Sequence, residues 1–281
     1  MTGAVVCGVD FSEDSRRALR WADLMARRLT QPLIVVHAVE ELLASAARMQ
    51  YGPQAVEATL LPELKQFVSQ TIGDRPDARL QFGVGEPAGI VRGTALSANA
   101  SMIVLGTQGL GQAGRLWFGS TTTRVLRETT KPVLAVPSGA AARSEADPRL
   151  DEIIVGTDFG GAASAAIAAA DELARIFGVP VMALHAVPEV AAPERWGHIV
   201  AKAVEDGLRD ARAQMGATVP GHWTSDVRTG SAASVLVEAA SGRHALIVVG
   251  LSGIQAEHRP GTTAYRVLWD ADAPVLAVPG G

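Results

Sequence analysis

VVCGVDFSEDS, residues 5–15, is written a second time as IIVGTDFGGAA, residues 153–163, which sets Asp10 on Asp158 at an offset of 148. The correspondence continues in order. VVHAVEE (35–41) returns as ALHAVPE (183–189), again at 148, and FGVGEPAGIV (82–91) returns as VRTGSAASVL (227–236) at 145. MIVLGTQG (102–109) returns as LIVVGLSG (246–253) at 144, and PVLAVP (132–137) as PVLAVP (274–279) at 142. The offsets shrink slowly and never reverse, so one domain is present twice and collinear throughout. Domain 1 is placed at residues 1–140 and domain 2 at 149–281. The seam falls in SGAAARSEADP (138–148), where small, charged and breaker residues replace the apolar periodicity.

Each copy alternates short β-branched runs with longer amphipathic stretches. In copy one, strands are expected near 4–9, 32–38, 79–84, 101–106 and 132–137. Ser12 is placed to cap a first helix over EDSRRALRWADLMARRL. Continuous apolar strands alternating with helices mean an α/β fold, a parallel sheet covered on both faces. Ligands of such sheets bind outside the carboxyl ends of the strands, at the switch point.

Composition bounds the function. With 48% hydrophobic and 19% charged residues, the 281-residue chain reads as globular, and a net charge of -4 argues against a nucleic-acid partner. The opening MTGAVVCGVD lacks the basic start and apolar core of a secretion signal. The most apolar helix candidate, Phe159 to Ala170, is bounded by Asp158 and Asp171 and too short to span a bilayer. A cytoplasmic location without membrane contact is expected. Cys7, the single cysteine, is expected to be a small buried hydrophobe.

The chemistry concentrates in VLGTQGLGQAGRLWFGSTTTRVL (104–126), where an apolar run ends in glycines and a helix-like segment begins at Gly119-Ser120-Thr121. Free N–H groups at a helix start make an anion cradle, so the candidate ligand carries phosphate. Gly109, Gly111 and Gly114 satisfy the G-x-G-x-x-G pattern of dinucleotide enzymes, but the context opposes that reading. The strand is the fourth of its domain, the next ends in Pro137-Ser138 with no acid for a ribose, and copy two has GIQAEH at the same place. A Walker loop is excluded because no Gly-Lys-Ser/Thr occurs, and the GGxDS-type pyrophosphatase loop is missing.

Another spacing fits: Gly106, two residues, Gly109, nine residues, then Gly119-Ser120. With this motif, the Gly8-Val9-Asp10 end of strand one, the histidine near the end of strand two and the terminal PVLAVP, nearly the whole chain resembles the universal stress protein family in its tandem two-domain form. The resemblance implies two five-stranded parallel α/β sandwiches, Rossmann-like, with strand order 3-2-1-4-5. Nucleotide-binding members hold ATP between strands one and four. Carried over, their site falls on Gly8, Val9, Asp10, Ala38, Gly106, Gly109, Gly119, Ser120 and Thr121, and in copy two on Asp158, Ala186, Gly250, Gly253, Gly261, Thr262 and Thr263.

Residue chemistry is compatible with this. Gly106 and Gly109 would let backbone approach ribose and phosphates without a Cβ in the way. Gly119, Ser120 and Thr121 would offer N–H groups and hydroxyls where the helix dipole favours negative charge. Asp10 would face the nucleoside, away from phosphates that it would repel, and Ala38 would supply backbone groups to adenine. Each residue also has a plainer reading: Asp10 as the turn that starts helix one, Gly119-Ser120 as a cap, the glycines as turn formers. His37 and His185 are expected to be packed or capping residues rather than ligands.

Copy two departs from the pattern. Only seven residues separate Gly253 from Gly261, and the shortened loop holds Glu257 and Pro260, with His258 and Arg259 as compensating positive groups. A weaker second site is expected. No catalytic set can be anchored, so the expected role is an ATP-binding stress-response regulator, with or without a magnesium ion and with a protein partner the sequence does not identify. The alternatives are a slow ATPase and a nucleotide-free interaction module. The apolar last strands, Val133 to Val136 and Val275 to Val278, are expected to pair the domains and to support a homodimer.

Overall fold

The computed structural model describes all residues except 1, 53, 108–118, 139–147, 190–193, 252–261 and 281. The described chain separates into two compact units, Met1–Pro148 and Arg149–Gly281.

In the first unit the fully buried strand β1 (Val5–Val9) leads through a tight turn into α1 (Glu13–Leu29). Ser12 caps this helix as expected: its Oγ accepts the Ser15 N–H at 3.1 Å, a contact typically worth about 1 kcal/mol. Glu13 and Asp14 in the first turn and Arg27 and Arg28 in the last complement the helix dipole. Ala18, Leu19, Ala22, Met25 and Ala26 recur at helical spacing and are buried. Strand β2 (Leu33–Val39) follows, then helices α2 (Glu41–Tyr51) and α3 (Ala55–Ile72), β3 (Arg79–Val84), α4 (Pro87–Ser97), β4 (Met102–Gly106), α5 (Ser120–Glu128) and β5 (Val133–Val136). The strand order is β3-β2-β1-β4-β5, and every pairing is parallel. Cys7 is fully buried in β1, and burial pushes its thiol far above the ordinary cysteine range, so it stays an un-ionised core residue.

The second unit repeats the plan with β6 (Glu152–Gly156), α6 (Gly161–Phe177), β7 (Val181–Val187), α7 (Gly197–Thr218), β8 (Thr224–Thr229), α8 (Ala232–Ala240), β9 (Ala245–Leu251), α9 (Thr262–Asp270) and β10 (Val275–Pro279). Its strand order, β8-β7-β6-β9-β10, is the same when read by position in the repeat, again parallel throughout. In both units the order reverses between the first and fourth strands, so the crevice for a ligand opens at their carboxyl ends.

The glycines near the ends of the first strands have a packing reason. A Cβ on Gly8 would lie 2.7 Å from Leu105 Cδ2 and 3.0 Å from Val91 Cγ2, and one on Gly156 would lie 2.7 Å from Leu236 Cδ1. Val91 and Leu236 stand at equivalent positions of α4 and α8, and a methyl group on either glycine would require these packed side chains, and Leu105 beside Gly8, to shift.

Candidate functional site

Each crevice begins at the turn after the first strand. Asp10 Oδ1 accepts the Ser12 N–H at 3.0 Å and the Ser12 hydroxyl at 2.5 Å. In the second unit Asp158 Oδ1 accepts the Gly160 N–H at 2.9 Å, and Thr157 Oγ1 accepts from Phe159 N at 3.1 Å. Both aspartates thus form the side-chain turn that introduces the first helix, which is the plainer role considered for Asp10. Between aspartate and cap stands a phenylalanine with left-handed backbone, Phe11 at φ 64° and Phe159 at φ 63°.

The two histidines meet these turns. His37 Nδ1 lies 2.8 Å from the Val9 carbonyl, and His185 Nδ1 lies 2.8 Å from the Thr157 carbonyl. A carbonyl only accepts, so each Nδ1 carries the proton and donates it. The Phe11 ring lies on His37 with centroids 4.5 Å apart, and Phe159 stacks on His185 at the same 4.5 Å. The expectation of packed histidines is met by this geometry. The phenylalanines were not singled out from sequence, although DF recurs at the same 148-residue offset as its neighbours.

In the second unit the crevice is a cleft of about 220 Å³ at the ends of β6, β7 and β9 and the starts of α6, α8 and α9. Asp158, Ala186, Gly250 and Thr263 all line it, beside Thr157, Ala162, Leu184 and Val249. Asp158 is the one charged side chain among the described lining residues. Such a surface is a slot of small apolar residues interrupted by threonine hydroxyls and a single carboxylate. Gly253 and Gly261 lie outside the described residues, and of Thr262 only the backbone is described, as the first residue of α9.

In the first unit the corresponding residues come from the ends of β1, β2 and β4 and the start of α5. Val9 is buried, whereas Asp10 and Ala38 are half-buried. Gly106 ends β4, and a Cβ there would lie 2.9 Å from the backbone carbon and oxygen of Asp14. Its missing side chain therefore makes room for α1, a reason for glycine that the sequence did not disclose. Gly119 anchors α5 by donating its N–H to the Thr107 carbonyl at 2.7 Å, while Thr122 Oγ1 donates to the Gly106 carbonyl at 2.8 Å. Among the described residues no side chain caps this helix. Ser120 is exposed and Thr121 half-buried at its first turn, and helix geometry directs their N–H groups outward. Gly109 lies outside the described residues.

Around α1 the first unit adds charge. Asp14 pairs with Arg17, both largely buried, and burial lowers the Arg17 guanidinium below its ordinary value. Arg16 lies 4.4 Å over the Phe67 ring, which meets Phe11 edge-on at 5.3 Å. Among the described residues no group of histidine, cysteine, aspartate and glutamate is arranged to hold a metal, and no helix is long and apolar enough to cross a membrane.

Comparison with known proteins agrees with this architecture. The model of the universal stress protein family matches residues 1–137 and again 150–279. A universal stress protein of Mycolicibacterium smegmatis is 27% identical over 187 residues, 64% of this chain and 63% of that protein. One from Mycobacterium tuberculosis is 30% identical over 201 residues, 68% of this chain and 66% of that protein. The chain thus spans just under two thirds of these relatives. The crystal structure of a universal stress protein from Archaeoglobus fulgidus, 18% identical, matches with a TM-score of 0.69 over 99% of this chain and 98% of that one, a likeness of fold. Matched twice along its length, with the same strand order in both units, the chain belongs to the universal stress protein family as a tandem pair of its domains.

Proposed function

We propose that the protein binds ATP at the carboxyl ends of its strands and acts as a nucleotide-dependent regulator of a stress response. The observation that carries this reading is the cleft of the second unit, where Asp158, Ala186, Gly250 and Thr263 converge on one slot of about 220 Å³ lined by both apolar and polar groups. A slot of this kind suits a planar base, Asp158 suits ribose hydroxyls, and the starts of α5 and α9 suit phosphates. A magnesium ion would enter with the triphosphate. The tighter site is assigned to the first unit, whose Gly106 to Gly119 spacing is complete. A homodimer, with domains paired through their last strands, belongs to the same proposal.

The direct test is to heat-denature the purified protein, identify any released nucleotide by mass and titrate the emptied, refolded chain with ATP. Release of an adenine nucleotide and saturable binding are expected. Neither a released nucleotide nor a binding signal would leave an interaction module that keeps only the fold.

A further inference from the structure

We infer that the Phe11–His37 and Phe159–His185 pairs are positioning clamps that hold Asp10 and Asp158 in the orientation the nucleotide site requires. The inference rests on the ATP reading for its purpose, but the clamp is defined by its own contacts. In each unit the imidazole Nδ1–H is fixed on the carbonyl of the residue before the aspartate, at 2.8 Å in both. The phenylalanine after the aspartate covers the imidazole at 4.5 Å in both. The aspartate, caught between these two attachments, turns its Oδ1 back onto the second residue after it.

The backbone argues that the ring is selected. Phe11 and Phe159 sit at φ 64° and 63°, a region that a bulky residue rarely enters and that glycine, asparagine or aspartate tolerate better. The second unit has Gly160 and Gly161 immediately afterwards, yet the left-handed position itself is phenylalanine. A turn that needed only the conformation would place glycine there. The aromatic contact with histidine offsets the strain, and the strained turn in return fixes the carboxylate at the mouth of the crevice. The first unit extends the stack through Phe67 to the Arg16 guanidinium, whereas Ser164 stands at the position equivalent to Arg16 in the second.

The test uses the full-length chain with Phe11→Gly, Phe11→Asn and Phe11→Tyr, read by hydrogen exchange at the Ser12 amide and by ATP titration. Glycine and asparagine accept the left-handed backbone without a ring, and tyrosine keeps the ring. We expect the first two variants to stay folded, to lose protection at Ser12 at least tenfold and to bind ATP at least tenfold more weakly, with tyrosine restoring both. Equal behaviour of all three, or improved protection with glycine, would overturn the clamp. If the unaltered protein binds no ATP, the functional reading fails, and exchange at Ser12 alone still decides whether the clamp exists.

Discussion

The first helix of each unit starts on the same backbone with different side chains. Ser12, Glu13, Asp14 and Ser15 open the first turn of α1, where Gly160, Gly161, Ala162 and Ala163 stand at α6. Both starts follow an aspartate turn with a left-handed phenylalanine, and both press against a glycine near the end of the fourth strand. Of these two helices α1 has a side-chain cap, whereas the N-cap of α6 is Gly160, without one. Strand glycine and turn therefore impose the geometry, and capping and charge are free to differ around it.

The largest expected effect breaks what is common. A Cβ on Gly250 would lie 2.5 Å from the backbone carbon and oxygen of Ala162, and on Gly106 the same atoms of Asp14 would be 2.9 Å away. Backbone cannot rotate aside as a side chain can. Gly250→Ala should destabilise its unit by about 3 kcal/mol and Gly106→Ala by about 2 kcal/mol. Hydrogen exchange followed separately in α6 and α1 reads the two losses. If Gly106→Ala proves neutral, α1 has room to retreat and the glycine there answers to something other than packing.

The next effect concerns affinity. Charge at the helix starts disfavours phosphate in the first unit, but Asp14 is neutralised by Arg17, and Glu13 is 63% exposed, which leaves well under about 1 kcal/mol of repulsion after screening. The second unit's loop is two residues shorter in sequence and is expected to offer fewer contacts to phosphate, each worth about 1 to 3 kcal/mol. The loop term dominates. ATP titration should show one tight site, and Gly119→Asp should weaken it by a hundredfold or more by placing a carboxylate at the start of α5. Asp158→Ala should leave that tight phase intact. Loss of the tight phase with Asp158→Ala would transfer it to the second unit.

How much was legible follows from the same places. Strand positions, the Ser12 cap and the doubling of the domain could be read because apolar runs, capping residues and repeat offsets are local signals. Asp158 and Ala186, which line the cleft of the second unit, and Asp10 and Ala38 at the corresponding strand ends of the first could be placed because strand ends are set by the same periodicity. The packing reason for Gly106 was not legible, since its neighbour Asp14 is 92 residues away in sequence and only the fold brings their backbones together. Phe11 was missed for a related reason. A large apolar residue after a strand reads as core, and nothing in its identity announces a positive φ.

A third test exchanges the charge that differs. Asp14 and Arg17 have 10% and 15% exposed side chains, and their counterparts are Ala162 and Ala165. Asp14→Ala leaves the Arg17 guanidinium without its partner and should cost about 1 to 3 kcal/mol. Ala162→Asp should cost about 1 to 2 kcal/mol by placing a carboxylate beside β9 without a cation. Adding Ala165→Arg should recover part of that loss. Melting of the single and double variants measures the coupling; strict additivity would mean that an Asp–Arg pair at the same positions of α6 gains nothing, so that the ion pair of the first unit depends on its own surroundings rather than on its place on the helix.

The smallest effect separates the units by pH. Glu86 caps α4 with its carboxylate, accepting from Gly89 N at 2.8 Å and Ala88 N at 3.1 Å, whereas Ser231 caps α8 by accepting from Ser234 N at 3.1 Å. Partial burial would raise the Glu86 carboxyl, but the N–H groups of Gly89 and Ala88 and the nearby Arg124 outweigh it and hold it below its ordinary 4.5. A carboxyl depressed in the folded state stabilises above its unfolded value and loses that contribution as pH falls through the folded one. Glu86 is 47% exposed, so solvent screening keeps the gain near the low end of a helix cap, about 0.5 to 1 kcal/mol. Glu86→Ala should therefore destabilise at pH 7, and its deficit should shrink as pH falls below 4.5. Ser231→Ala should cost about 1 kcal/mol with no such dependence, because a hydroxyl does not titrate there. Denaturant melts of both variants at pH 7 and below 4.5 make the comparison. A Glu86→Ala deficit that stays constant with pH would mean that shape and hydrogen bonding, rather than charge, hold the start of α4.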